Sequence, residues 1–353
     1  MYSNRYLCLK IFKNNYRVRR YKEYCVIENV LTPKLKNIEV NYKRITLVIH
    51  LSSDYLDHRL VEQAKAWDGP ISLSVVLPEK NTLSAMYHAE KKLMEYESDL
   101  FPKVSAHFIY KSNTDCTDPV GPRPLQKLTY PYIYPANVAR NVARMMVTTK
   151  YILLGDYEFI FSKNFEQQMV TVAEVETKKN PKTVLVFRIF EVDKTIKHLP
   201  RDKKSLAILL KKGKAVEFHN RYFKTAHSIV GLNEWLEKET VLKRKPQIRF
   251  RYTKKDWEPQ FVSLTTIPFH DESFPYSIKD NTVLRWEMCR QNYTFAVVNN
   301  VFMVHRGIKT SQGNISEIRK LASKQFRKAI KEFKKRMENE HPETKNLCPV
   351  IKL

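Results

Sequence analysis

Tyr151-Ile152-Leu153-Leu154-Gly155-Asp156-Tyr157-Glu158 is the stretch on which the reading of this chain turns. Its apolar and aromatic start, ended by Gly155, reads as a short strand buried on both faces. Asp156 and Glu158 follow at once, one residue apart. Ligands of open α/β sheets bind just beyond the carboxyl ends of the strands. A pair of hard oxygen ligands at such a place suits Mg²⁺ or Mn²⁺ held against a diphosphate. Taken alone, D-x-E after a strand is more often a solvated acidic turn, so the surrounding chain has to decide.

Immediately upstream, Asn137 to Thr149 reads as a helix running into that strand. Arg140 and Arg144, four apart, share one of its faces and could meet a phosphate or a sugar. Further back, Ile45-Thr46-Leu47-Val48-Ile49-His50-Leu51 is a near-continuous apolar strand followed by the capping cluster Ser52-Ser53-Asp54. Leu56, Leu60, Ala64 and Trp67 recur at helical spacing, Gly69-Pro70 stops the helix, and 71–77 supplies a second strand. This is a β-α-β unit with parallel strands and a right-handed crossover. The alternation goes on with a helix over 82–96, a strand over 104–110 and a Pro-, Asp-, Thr- and Asn-rich loop over 112–135 of a length that is often functional. Downstream come a helix at 164–176 and a strand at 183–190. Beyond them, 206–211 looks helical, Lys243-Arg244-Lys245 is a basic hinge, and 295–304 is one or two strands ending in His305. A last helix over 317–337 docks Ile318, Ala322, Phe326, Ile330, Phe333 and Met337 and keeps its lysines wet. The pattern predicts an α/β fold with a mostly parallel mixed sheet flanked by helices. Residues 1–43 read as a poorly ordered basic and aromatic arm, 44–340 as a single domain, and 341–353 as a tail.

Hydrophobic residues at 43% support a sizeable core. With 7 glycines in 353 residues and no G-x-G-x-x-G or Walker pattern, phosphates would have to be held by metal and side chains. The net charge of +25 favours an acidic partner. No nucleic-acid-binding signature accompanies it, so nucleic acid is not expected. The five cysteines, Cys8, Cys25, Cys116, Cys289 and Cys348, are scattered without metal spacing, and an odd number leaves one unpaired. They leave the redox compartment open. The acceptor triplets Asn292-Tyr293-Thr294 and Asn314-Ile315-Ser316 matter only in a secretory compartment. No apolar run of transmembrane length and no signal-peptide core is visible.

Two further constellations bear on chemistry. Trp257-Glu258-Pro259 precedes His270-Asp271-Glu272 in a Pro-punctuated aromatic loop, where burial can raise a carboxylate toward the range of a general base. His305 closes the apolar run Val301-Phe302-Met303-Val304. A lone histidine there is usually structural, and gains weight as a ligand only if a carboxylate pair already defines a metal site.

Several segments, in order, resemble glycosyltransferase family 49, the LARGE-type and β-1,4-glucuronyltransferase group. They are T-L-V-I-H-L-S-S-D at 46–54, W-D-G-P-I-S at 67–72, Y-P-x-N-x-x-R-N-x-A-R at 134–144 and Y-I-L-L-G-D-Y-E at 151–158. V-F-R-I-F-E at 186–191, W-E-P at 257–259 and F-M-V-H-R-G at 302–307 continue the series. The resemblance covers roughly 45–337. It implies a glycosyltransferase A-type Rossmann-like domain with a D-x-D metal motif, here at Asp156 and Glu158, and a metal-binding histidine, here at His305. Mn²⁺ or Mg²⁺ would neutralise the diphosphate of a UDP-sugar. Asn137, Arg140, Asn141, Arg144 and Asp156 would bind the donor. Asp271 or Glu272 would take the acceptor proton in an inverting displacement. The expected substrates are a UDP-sugar such as UDP-glucuronate and a glycan on a glycoprotein, acidic glycans included, in the Golgi lumen; a homodimer is compatible. Three departures stand out: Glu158 replaces the usual Asp, Ser273 replaces an arginine and Tyr276–Asn281 departs from the family pattern, and the family's N-terminal membrane anchor is not visible. They keep open a second reading, a catalytically silent glycan-binding or scaffold relative.

Overall fold

The computed structural model describes residues 16–33, 42–79, 81–100, 103–113, 116, 133–237, 246–311, 313 and 315–351. Most of the 112–135 loop, the Lys243-Arg244-Lys245 hinge and Asn314 therefore lie outside the described residues. The strands are β1 (Val18–Tyr21), β2 (Tyr24–Leu31), β3 (Ile45–Ser52), β4 (Ile71–Val76), β5 (Val104–Lys111), β6 (Tyr151–Leu154), β7 (Phe159–Phe161), β8 (Thr183–Val192), β9 (Ala215–Glu217), β10 (Ile248–Phe250), β11 (Phe261–Leu264) and β12 (Thr294–Arg306). They form one mixed sheet in the order β1-β2-β5-β4-β3-β6-β11-β8-β12-β10, with β7 on β12 and β9 on β8. The run β5-β4-β3-β6 is parallel. So is β8 against β12, while β11 is antiparallel to both β6 and β8. The main helices are α1 (His58–Ala66), α2 (Thr82–Glu95), α3 (Ala136–Met145), α4 (Phe165–Lys179), α5 (Lys203–Lys211), α6 (Thr282–Arg290) and α7 (Ser316–Glu340).

β4 and β8 are buried along their whole lengths, their polar residues Ser72, Ser74, Arg188 and Glu191 included. α1 starts on Asp57, whose side chain accepts from the Arg59 N–H. It ends before Gly69, where a Cβ would lie 2.5 Å from the Ile45 carbonyl oxygen. Trp67, fully buried, packs against Phe161 at 4.7 Å and Phe165 at 5.8 Å between ring centres, joining α1 to β7 and α4. The segment expected as one or two strands near 295–304 is one 13-residue strand with a register shift between Val297 and Phe302.

The arm expected over 1–43 is corrected between Val18 and Leu31. There β1 and β2 form a hairpin that extends the sheet from β5. Cys25, Val26 and Ile27 are consecutive and all buried, because β2 is covered on both faces there and so shows no alternation. Two disulfides fasten the periphery, Cys25–Cys116 and Cys289–Cys348. The second ties α6 to the end of the chain. Arg290 Nη2 adds hydrogen bonds to the Met337 and His341 carbonyls at 2.7 and 2.6 Å, so the expected tail is docked over its described part. Closing a span of 59 residues is worth about 4 kcal/mol in the chain-entropy description. Cys289→Ser is expected to cost about that much in urea unfolding, with cleavage by protease beginning after α7.

His107 lies fully buried on β5. Its Nδ1 accepts from the Asn29 N–H at 3.0 Å, so the proton sits on Nε2, facing Ser72 Oγ at 3.4 Å. Burial pushes this imidazole down to about 4. An unfolded histidine takes its proton near pH 6.5, whereas the folded one resists until about 4, so stability is full above pH 6.5 and falls as pH drops through that window. The loss from His107 alone is about 3 kcal/mol by pH 4. Denaturant midpoints at pH 7 and pH 4.5 should show it, and His107→Gln should flatten the difference.

Candidate active site

The turn after β6 is clamped by α1. Gln63 Nε2 donates to the carbonyls of Asp156 at 2.7 Å and Phe159 at 3.0 Å. One turn earlier, Arg59 donates to Glu158 Oε1 at 2.6 Å and to Asp57, with its guanidinium over the Tyr157 ring at 4.8 Å. β7 then pairs with β12, setting Phe159 opposite His305. That pairing brings His305 Nε2 to 3.0 Å from Glu158 Oε2. Residues 147 positions apart in sequence are thus joined at the carboxyl ends of the strands.

The hydrogen bonding of His305 defines what this contact can hold. Its Nδ1 faces the Gly307 carbonyl at 3.2 Å, a group that can only accept, so Nδ1 carries a proton. Nε2 and a carboxylate oxygen then face each other, and two acceptors at that range need a cation between them. A proton satisfies this, and so does a divalent ion, for which a hard oxygen and an imidazole nitrogen are suitable donors. The His305 hydrogen bond, with Arg59 assisting, holds the Glu158 carboxyl below its ordinary range against partial burial. Among the described residues, no three His, Cys, Asp or Glu side chains are grouped as a metal cage. Mg²⁺-type sites commonly use one or two protein ligands and complete the shell with substrate phosphates and water.

Asp156 makes no side-chain hydrogen bond to that pair but is close enough to feel the charge of Glu158. Its surface opens to the cleft, yet the enclosing walls remove enough water to push its carboxyl up; Arg140 opposes this and Glu158 adds to it. Arg140 donates to Asn137 Oδ1 at 2.8 Å and to Asp280 Oδ2 at 2.7 Å. Lys309 is exposed, four residues beyond His305, and its charge reaches both Asp156 and Glu158. Among the described residues its ammonium has no ion-pair partner, although it lies 5.9 Å from the Phe218 ring centre. On the other side, the His50 ring stacks on Tyr134 at 5.6 Å with Nδ1 2.8 Å from the Tyr134 hydroxyl. Tyr134 in turn meets Tyr276 edge-on at 5.9 Å.

The remaining expected site residues have their polar groups committed elsewhere. Asn137 Nδ2 donates to the carbonyls of Asp271 and Asp280 at 2.8 and 2.9 Å. Asn141 Nδ2 donates to the His270 carbonyl at 2.9 Å and to Glu272 at 2.7 Å, and its Oδ1 accepts from the His270 N–H. Arg144 donates to the carbonyls of Thr265 and Pro268 at 2.6 Å each, and to that of Ile267, beneath the Phe269 ring. These α3 side chains hold the 265–281 loop. Asp271 accepts from Ser273 and from Arg336, and Glu272 from Tyr21, Lys22 and Asn141. Sequence reasoning missed Arg59, Gln63, Asp280 and Lys309. Of these, Lys309 carried a signal as a basic residue just past the F-M-V-H-R-G segment, and Asp280 lies in the Tyr276–Asn281 stretch that departs from the family pattern.

The site is thus an acidic turn at the strand ends of a mixed α/β sheet, met there by a distant histidine. The sequence profile of glycosyltransferase family 49, described as glycosyl-transferase for dystroglycan, matches residues 44–342. The chain belongs to this family. It is 27% identical over 218 residues to β-1,4-glucuronyltransferase 1 of Danio rerio, spanning 61% of this chain and 49% of that protein. With the xylosyl- and glucuronyltransferase LARGE1 of Mus musculus it shares 24% over 337 residues, 95% of this chain and 39% of the relative. The chain thus spans about half the length, or less, of these relatives. A crystal structure of GalNAc-T7 with UDP, GalNAc and Mn²⁺ overlaps it with a TM-score of 0.45 at 12% identity, over 88% of this chain and 61% of that one. No helix among the described residues is long and apolar enough to cross a membrane.

Proposed function

We propose that residues 44–340 form one catalytic domain, a divalent-metal-dependent glycosyltransferase. It moves a sugar, glucuronate or a close relative, from a UDP-sugar to a glycan on a glycoprotein. The observation that carries this reading is the contact between Glu158 and His305, a carboxylate oxygen and an imidazole nitrogen 3.0 Å apart at the strand ends, a donor pair suited to a divalent ion. Those two residues would hold Mn²⁺ or Mg²⁺, which supplies charge neutralisation for a departing diphosphate. Lys309 adds a cation aimed at the same phosphates. Arg140 and Asp156 form the cleft floor beside them, where Asp156 meets the donor's ribose or sugar hydroxyls. The rings of His50, Tyr134 and Tyr276 offer a stacking wall for a uracil base.

An inverting displacement needs a proton acceptor at the acceptor hydroxyl. Asp271 and Glu272, expected in this role, have their carboxylates in ion pairs with Arg336 and Lys22. Asp280 fits better. One of its oxygens is bound to Arg140, the other has no hydrogen bond among the described residues, and its charge is felt at Asp156. Asp280→Asn is expected to abolish transfer while leaving UDP binding intact; Asp271→Asn should retain transfer. Equal losses in the two variants would remove Asp280 from this role. The two disulfides support an oxidising compartment such as the Golgi lumen.

One observation favours a silent relative instead: both Glu158 oxygens are already bonded, to Arg59 and to His305. Incubation with Mn²⁺ and a panel of UDP-sugars separates the two readings. Turnover of at least one sugar supports the enzyme, and tight UDP binding with no turnover on the whole panel supports the silent relative.

A further inference from the structure

We infer that Asn292 carries an N-linked glycan. The triplet Asn292-Tyr293-Thr294 occupies the turn between α6 and β12. Its first residue is exposed and left-handed, with φ 64°, a conformation asparagine tolerates better than most side chains. Tyr293 is buried, and its N–H donates to the Met288 carbonyl at 2.9 Å, while the Asn292 N–H donates to the Cys289 carbonyl at 2.8 Å. The turn is therefore fixed, and it presents the asparagine outward. Arg251 Nη1 donates to Asn292 Oδ1 at 3.0 Å. The amide nitrogen, on the opposite side of that planar group, has no acceptor among the described residues.

A triplet of this kind arises often by chance, and the compartment decides whether it matters. Here the last turn of α6, just before the triplet, contains Cys289, disulfide-bonded to Cys348, and a second disulfide joins Cys25 to Cys116. Such bonds persist where the chain has passed through an oxidising secretory compartment, which is also where asparagine is glycosylated. In the transfer, the Asn292 amide nitrogen attacks the anomeric carbon of a lipid-diphosphate-linked oligosaccharide. A C–N bond forms, the C–O bond to the diphosphate breaks, the diphosphate leaves with the electron pair, and the nitrogen gives up one proton. Asn292 adjoins the amino end of β12 and His305 lies near its carboxyl end, roughly 35 Å away along the strand. A glycan at Asn292 would therefore leave the cleft clear, so this inference does not depend on the proposed activity.

The test is peptide mapping of the full chain secreted from cultured animal cells, with both disulfides verified by mass. Release by peptide-N-glycosidase in ¹⁸O water should convert Asn292 to aspartate carrying one labelled oxygen, with the mass of one oligosaccharide lost. Thr294→Ala should abolish the modification at Asn292 and Thr294→Ser should retain it. An unmodified Asn292 peptide from the disulfide-bonded wild-type protein would overturn the inference, and so would a glycan that persists in Thr294→Ala.

Discussion

Asp156→Asn is expected to lower sugar transfer by about a thousandfold without lowering the stability of the fold. The loss follows from removing a negative charge beside Arg140 and the Glu158–His305 pair, where several kcal/mol of charge stabilisation would be set. The stability forecast follows from the direction of the Asp156 shift. Its carboxyl, though open to solvent on one side, is pushed up by the surrounding walls, with Glu158 adding to this and Arg140 opposing it, so the charged form is disfavoured in the folded chain. For a raised carboxyl, folding is opposed at pH values above the ordinary carboxylate range, and a neutral isostere relieves that opposition. The variant should therefore melt at or above the temperature of the parent at pH 7.5. Such a pairing of lost activity with unimpaired stability marks a residue kept for function. Retained transfer, or a large fall in melting temperature, would assign Asp156 a structural task instead.

Arg144→Ala should do the reverse. The guanidinium is buried and feeds carbonyls of Thr265, Ile267 and Pro268, while burial lowers its own affinity for a proton to about 10. Removing it leaves those acceptors unpaired beneath Phe269 and opens a void, at a cost of about 4 kcal/mol in denaturant unfolding. UDP affinity of the folded fraction should stay at the parent value, because both Nη groups are spent on loop carbonyls and the unpaired Nε is buried away from solvent. Turnover should fall, since Asp280 sits on the loop that Arg144 holds. Unchanged stability with weakened UDP binding would return Arg144 to the donor-binding role its helical spacing suggested.

That contrast explains what could be read from the chain alone. The parallel strands were legible because burial on both faces writes unbroken apolar runs such as Tyr151–Leu154. The position of the acidic turn and of His305 at strand ends was legible, while their pairing came only from the resemblance of the segments around them. The spacing of Arg140 and Arg144 gave a shared helix face correctly, but not what lies against it. Arg144 meets loop carbonyls, while Arg140 meets Asp280, and only the packing of 265–281 on α3 decides this. Arg59 and Gln63 were illegible for the same reason, as their partners lie 99 and 93 residues away. The β1–β2 hairpin hid because β1 is Val-Arg-Arg-Tyr and because Glu28-Asn29, at a register shift with Asn29 left-handed, breaks the apolar run of β2; the disulfide partners hid because spans of 91 and 59 residues carry no local signal.

The Glu158–His305 contact can be tested by calorimetric titration of UDP into the full chain, with Mn²⁺ and with chelator. The account predicts that UDP binds with Mn²⁺ present, that chelator abolishes binding, and that His305→Ala does the same in the presence of metal. UDP binding of equal strength with and without the ion, or undiminished in His305→Ala, would contradict it.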